Sequence, residues 1–323
     1  MKDGRSLLSI PLLAVALLLA AGFAVFIGPT RSLDPVILLE IRVPRVVLGV
    51  ITGIALATAG ALFQGLLRNP LADPYILGTS GGAALGVIAG SALRTLIPGW
   101  AALSTAGYYA LIFIGAFAAT SASYLIARTE RNVSPVNLLL AGAIVSALCG
   151  SLIFLFFTLR SEDSFSMLFF LMGGLVEMNR NLIGISAALI LAGCGASLLV
   201  ARSLNILSLG EEKAKSLGVR VERLKFAVFC LASLIVSAAV AVAGPIGFVG
   251  LIVPHAARLI VGPNHRVLIP TSALAGGILL VLTDALARTV ARPVEIPVGV
   301  ITAMFGAPFF LWLLRRKRKS TYF

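Results

Sequence analysis

Few residues in this chain are suited to covalent chemistry. It has two histidines (His255 and His265), three cysteines (Cys149, Cys194 and Cys230) and 13 acidic residues among 323. No Cys/His spacing suits a metal, and each cysteine lies in an apolar stretch, where packing is its expected use. No G-x-x-x-x-G-K-S/T phosphate loop occurs. His255, between Pro254 and Arg258, is expected to be structural, as is His265. The clustered His, Asp or Glu that an intramembrane enzyme needs is missing. Asp284 and Glu295 are the acidic groups closest to apolar segments, and such groups are functional candidates by default. Asp284 stands four residues before Arg288, a spacing that predicts an ion pair on one helix face. A proton- or sodium-driven carrier needs a buried carboxylate or an unwound cation site, and the sequence displays neither clearly. Were the chain a transporter, its energy would therefore be expected to come from elsewhere. The alternative is a secondary transporter for a small solute that works without an ATPase.

The elements that carry these residues are apolar. Hydrophobic residues make up 59% of the chain and charged ones 12%, against roughly a quarter charged in soluble domains; the mean hydropathy is +1.03. A membrane-spanning helix needs about 20 mostly apolar residues. The pattern predicts an all-α membrane protein with spans near 7–27, 45–66, 75–96, 107–128, 135–158, 181–201, 224–243, 248–261, 267–291 and 298–314. The run 7–27 is read as a retained first helix, not a cleaved signal. The eighth span is too short to cross alone, and it follows Gly244-Pro245-Ile246-Gly247, so a broken backbone is expected there. Such breaks are tolerated at membrane depth only where protein or a water-lined cavity covers them.

With the N-terminus in the cytoplasm, 18 of the 26 basic residues, including all six lysines, fall on the cytoplasmic side. The outer side holds Arg31, Arg42, Arg45, Arg94, Arg160, Arg180, Arg288 and Arg292. This bias sets both termini inside. It also accounts for the net charge of +13 without nucleic acid, the tail Arg315-Arg316-Lys317-Arg318-Lys319 serving as an anchor to anionic lipid headgroups. The longest polar loop, 202–225, is cytoplasmic. Its middle, 210–217, reads as a short amphipathic helix, capped by Ser208 or Gly210, with Glu211 and Glu212 in its first turn and Gly218 ending it. Gly78, Gly81, Gly82, Gly86 and Gly90 form a small-residue face suited to close helix packing or to lining a pathway. Six positions between Ala55 and Pro70 recur 184 residues later between Ala239 and Pro254, a candidate inverted repeat.

Several motifs resemble the FecCD family, the permease subunits of ATP-binding-cassette importers for iron–siderophores, haem and cobalamin. They are Ile41-Arg42-Val43-Pro44-Arg45; Gln64-Gly65-Leu66-Leu67-Arg68-Asn69-Pro70-Leu71-Ala72-Asp73-Pro74; Leu77-Gly78-Thr79-Ser80-Gly81-Gly82; Leu138-Leu139-Leu140-Ala141-Gly142; Met172-Gly173-Gly174; Leu209-Gly210-Glu211-Glu212; the run from Gly244 through Pro254-His255-Ala256-Ala257-Arg258; and Glu295-Ile296-Pro297-Val298-Gly299. They cover nearly the whole chain in order. The resemblance implies a type II importer permease of ten transmembrane helices, one domain over 1–323, in the inner (plasma) membrane of a prokaryote. It implies a homodimer with the pathway on the dimer axis. Two ATPase subunits would bind the cytoplasmic face and hold the ATP, the permease having no cofactor or catalytic site of its own. A substrate-binding protein would dock outside.

By the same resemblance, Gly210, Glu211, Glu212, Ala214, Leu217 and Gly218 belong to the element that couples to the ATPase. Arg42, Arg45 and Arg288 match positions that present arginines to carboxylates of the binding protein, and bidentate pairing would give orientation as well as energy. Arg292 departs from that pattern. Asn69 and Leu71 fall in one cytoplasmic gate element, and Pro135 and Val136 in the other, where Pro135 replaces an expected small hydroxyl residue. An iron–siderophore is the first expectation for substrate, with haem and cobalamin close behind.

Overall fold

The computed structural model describes residues 3–29, 34–96, 105–129, 133–159, 164–176 and 179–320. Of the basic residues that orient the chain, Lys2, Arg31, Arg131 and Arg160 lie outside the described residues, as do the side chains of Arg5, Arg94 and Arg315 to Lys319. Ten helices match the ten expected spans: α1 (Asp3–Phe26), α2 (Val43–Leu67), α3 (Thr79–Leu96), α4 (Thr105–Ala127), α5 (Pro135–Leu159), α7 (Arg180–Leu207), α9 (Val221–Ala243), α10 (Val249–Val261), α11 (His265–Ala287) and α12 (Val298–Ser320). Seven are long and apolar enough to cross a membrane, α2 together with its π-helical lead-in Ile37–Arg42; α3, α10 and α12 contribute shorter apolar segments. Two further helices are short: α6 (Ser164–Met172), which the sequence reading did not foresee, and α8 (Glu211–Ser216) in the polar loop.

In lipid, helix association relies on close backbone approach rather than on hydrophobicity. The small residues show where this happens. Gly82, Gly86 and Gly90, four apart, turn one face of α3 onto Gly115, Leu111 and Tyr108 of α4, while Gly81 meets Cys149 of α5. The small-residue face of α3 therefore packs helices. Gly53 of α2 lies against the backbone of Gly276 in α11, and Gly60 against that of Gly250 in α10. These contacts place α2 at the centre: 83% of its apolar stretch is buried, against 11% for α1 at the periphery.

The expected break before α10 is present. Proline removes a backbone donor and disfavours helix at the residue before it, so α9 stops at Ala243 and Gly244 turns to φ 64°. The chain re-enters helix through Phe248, which itself has φ 69°. The sequence repeat does not survive in its expected register. Positions 55–67 are continuous helix, whereas their counterparts cross this break.

Candidate functional site

Three polar layers lie along the bundle. On the face expected to be cytoplasmic, α8 emerges between Gly210 as N-cap and Leu217 as C-cap, and Gly218 follows at φ 82°. Gly210 rather than Ser208 holds the cap; Ser208 ends α7, and its hydroxyl donates to the Asn205 carbonyl at 2.6 Å. Ala214 seats α8 on the bundle, while Glu212, Lys213, Lys215, Leu209 and Leu217 stay exposed. Glu211 turns inward. One of its oxygens meets Arg68 Nη2 at 3.3 Å and the other Lys225 Nζ at 3.0 Å. Lys225, in the second turn of α9 and 5% exposed, also donates to Glu222 Oε1 at 2.9 Å and to the Val133 carbonyl at 3.0 Å. Glu222 Oε2 in turn accepts from the Val133 N–H at 3.3 Å.

The two segments expected to form the gate both border this cluster. Arg68 closes α2 in a left-handed conformation at φ 48°, and Asn69 follows, its side chain accepting from the Leu71 N–H at 3.0 Å. Such a local turn is the usual use of Asn. Pro135 opens α5 at the first helical position, where its missing N–H is harmless, and it lines a void of about 10 Å³ with Leu66, Leu67 and Lys225. Val136 is exposed. Nearby, Asn205 of α7 accepts from the His265 N–H and contacts Nδ1 of the same residue, both at 2.8 Å, so His265 fastens α11 to α7.

The middle layer is the break itself, held from both sides. From the cytoplasmic side, Tyr75 Oη accepts from the Ile246 N–H at 3.0 Å, and the Asp73 carboxylate accepts from the N–H groups of Tyr75 and Phe248. Gln64 Nε2 donates to the Leu251 carbonyl at 3.0 Å. From the outer side, the Gly174 N–H satisfies the Ala243 carbonyl at 2.9 Å, and Gly299 N–H donates to Gly173 at 3.2 Å. Non-helical backbone at this depth must find partners in protein, and these residues supply them. Asp73 retains some surface, yet burial pushes its carboxyl up to about 6 against the pull of its two donors.

The outer layer is a charge cluster. Asp284 accepts from Arg45 and Arg288, each at 3.0 Å, and Arg45 reaches Glu295 at 2.6 Å. Arg288 also donates to the carbonyls of Ile27 (2.7 Å) and Ala24 (3.2 Å), and Arg42 to those of Phe26 (3.2 Å) and Val25 (3.4 Å). The last carbonyls of a helix lack intrahelical partners and carry partial negative charge, which draws these two guanidinium groups onto the end of α1. Arg42 is 3% and Arg288 1% exposed. The outward presentation expected of them is absent in this conformation; both are turned into the subunit. Arg45, at 12%, stays at the rim. Arg292 is exposed, as is the ion pair of Arg180 with Glu40 at 2.7 Å. A cavity of about 430 Å³ opens beneath Arg45 and Glu295, walled by Tyr108, Tyr109 and Phe170 and reaching Gly244 at the break.

Sequence reasoning missed Arg68, Glu222 and Lys225. One signal existed: Glu222 and Lys225 are three apart at the start of an apolar helix, where neighbouring charges pair. The link from Glu211 to Arg68 spans 143 residues and had no local trace. No group of three or more His, Cys, Asp or Glu suited to a metal occurs among the described residues.

A many-helix apolar bundle with a short charged helix at one end, a gripped break and a charged rim at the other defines the class: a multi-pass membrane protein. The FecCD transport family matches residues 5–316, and the chain belongs to that family. It is 43% identical over 280 residues to the cobalamin import system permease protein BtuC of Halobacterium salinarum, covering 87% of this chain and 73% of that protein. It is 43% identical over 284 residues to the hemin transport system permease protein HmuU of Yersinia pestis, covering 87% and 84%. The Fe(3+) dicitrate permease FecD of Escherichia coli is 40% identical, covering 87% and 86%. A solved inward-facing ABC transporter assigned to the metal-chelate type superposes with a TM-score of 0.84 at 30% identity, covering 96% of this chain and 99% of that one. The chain is thus a permease of the metal-chelate class of type II importers, a transport subunit whose class works with ATPase and binding-protein partners.

Proposed function

We propose that two copies of this chain form the conduit of an importer in a prokaryotic inner membrane that moves a bulky metal chelate inward. A ferric siderophore is the first candidate, with haem and cobalamin beside it. A binding protein delivers the chelate to the outer rim. Arg45 and the exposed Arg180–Glu40 pair are the charged groups offered there, while Arg42 and Arg288 brace the rim from beneath. Two ATPase subunits grip α8 and its exposed Leu209 and Leu217, and their closure switches access between the two faces.

The observation that carries this reading is α8, a six-residue helix in the longest polar loop that sends Glu211 back into the bundle. A carrier working alone has no use for such a lever. Uptake by the reconstituted complex, with labelled ferric siderophore, haem and cobalamin competing, tests the substrate class. Accumulation of one chelate is the expected result; accumulation of none, with a small solute moved instead, would overturn it.

A further inference from the structure

Glu211 occupies a junction. Its two carboxylate oxygens are divided between two elements, Oε1 going to Arg68 at the end of α2 and Oε2 to Lys225 on α9. Glu222 is divided in the same way, Oε1 to Lys225 and Oε2 to the Val133 N–H. Lys225 uses all three of its donors, on Glu211, Glu222 and the Val133 carbonyl. The result is an unbroken series, Arg68–Glu211–Lys225–Glu222–Val133, that starts and ends at the two gate elements. Asn69 and Leu71 follow Arg68 directly; Pro135 and Val136 follow Val133 by two and three residues.

We infer that Glu211 is the branch point through which movement of α8 reaches both gate elements of its own subunit at once. In this view Arg68 carries the motion to the 69–71 turn, while Lys225 with Glu222 carries it to the start of α5. The inference rests on the importer reading and deepens it. Three physical points support it. First, α8 is joined to its neighbours through Gly210 and Gly218, both at positive φ (113° and 82°), with no side-chain cap at its N-terminus; a pull along such backbone is soft, so side-chain ties matter. Second, Lys225 is 5% exposed, and charge pairs shielded from water are screened far less than surface pairs, so its ties to Glu211 and Glu222 are stiffer than ordinary surface bridges. Third, Arg68 is held at φ 48°, an uncommon conformation for a residue with a side chain, which aims it from the end of α2 at Glu211. These are positioning residues in this account: each is argued to act through its neighbour in the series.

The test uses the full complex of permease, ATPase and binding protein in proteoliposomes, reading substrate taken up per ATP hydrolysed. Arg68→Gln and Glu211→Gln alter a partly exposed pair, so folding should survive, and each is expected to lower that ratio about tenfold. Lys225→Met should do the same. The double variant Glu211→Gln with Lys225→Met should be no worse than the poorer single one, because members of one series are non-additive. Arg223→Gln removes a neighbouring exposed charge outside the series and should stay within twofold of the parent. Arg68→Gln and Glu211→Gln both within twofold of the parent would overturn the inference alone, as would losses that multiply in the double variant. A parent complex that shows no ATP-driven uptake would instead refute the importer reading beneath it.

Discussion

Asp284 is the residue on which the outer rim depends. Two buried or half-buried guanidinium groups converge on its carboxylate. Removing one partner of a buried charge cluster costs about 3–5 kcal/mol, because it strands the others without compensation. Asp284→Asn is therefore expected to lower the thermal unfolding midpoint of the detergent-solubilised protein markedly. Glu295→Gln, on a carboxylate 37% exposed, should change stability by no more than about 1 kcal/mol. The sequence showed the Asp284–Arg288 pair through its spacing of four. It did not show Arg45, because that partner is 239 residues away. It also misdirected Arg42 and Arg288. Their positions on the outer side were legible, but the carbonyls at the end of α1 that capture them lie 16 and 261 residues off in sequence. Asp73 makes a prediction in pH. Its carboxyl is raised from 3.8 to about 6, so the folded state holds this proton more tightly than the unfolded chain does between those values. The contribution to stability is then present at low pH and lost as pH rises through about 6. Scans of thermal stability from pH 4 to 8 should show that decline in the parent protein minus Asp73→Asn; a flat difference would contradict it.

At the scale of elements, the pairing of α2 with α10 defines the middle of the bundle. A side chain at Gly60 would overlap the Gly250 carbonyl, and overpacking of this kind costs typically 1–3 kcal/mol. Gly60→Ala should lower stability by at least that much and reduce transport by displacing α10. Gly195→Ala, where nothing lies within 4 Å, should be neutral or stabilising by up to about 1 kcal/mol. The break at 244–248 and the short helix α8 were both legible from local chemistry, a Gly-Pro step in one case and a Gly-bounded charged turn in the other. What holds the break was not. Tyr75 reaches Ile246 across 171 residues, and α6 carries no polar residue pattern to mark it. The two copies of the repeat differ in local backbone because identity of small residues does not carry backbone conformation: Gly60 serves close packing and Gly244 serves a turn.

The whole molecule follows from apolar length and the side chosen by lysine. The ten main helices and their order were readable because each depends on a window of local sequence. The wiring between the faces was not readable, because it is built from pairs far apart in the chain. The central claim is that this chain is a conduit driven from its cytoplasmic side, and one measurement tests it most directly. The chain is reconstituted into proteoliposomes with or without its ATPase and binding protein, and labelled chelate uptake is followed with ATP on the cytoplasmic side or with proton or sodium gradients alone. Uptake only when ATP, ATPase and binding protein are all present is the predicted result. Uptake by the chain alone, driven by an ion gradient, would contradict it.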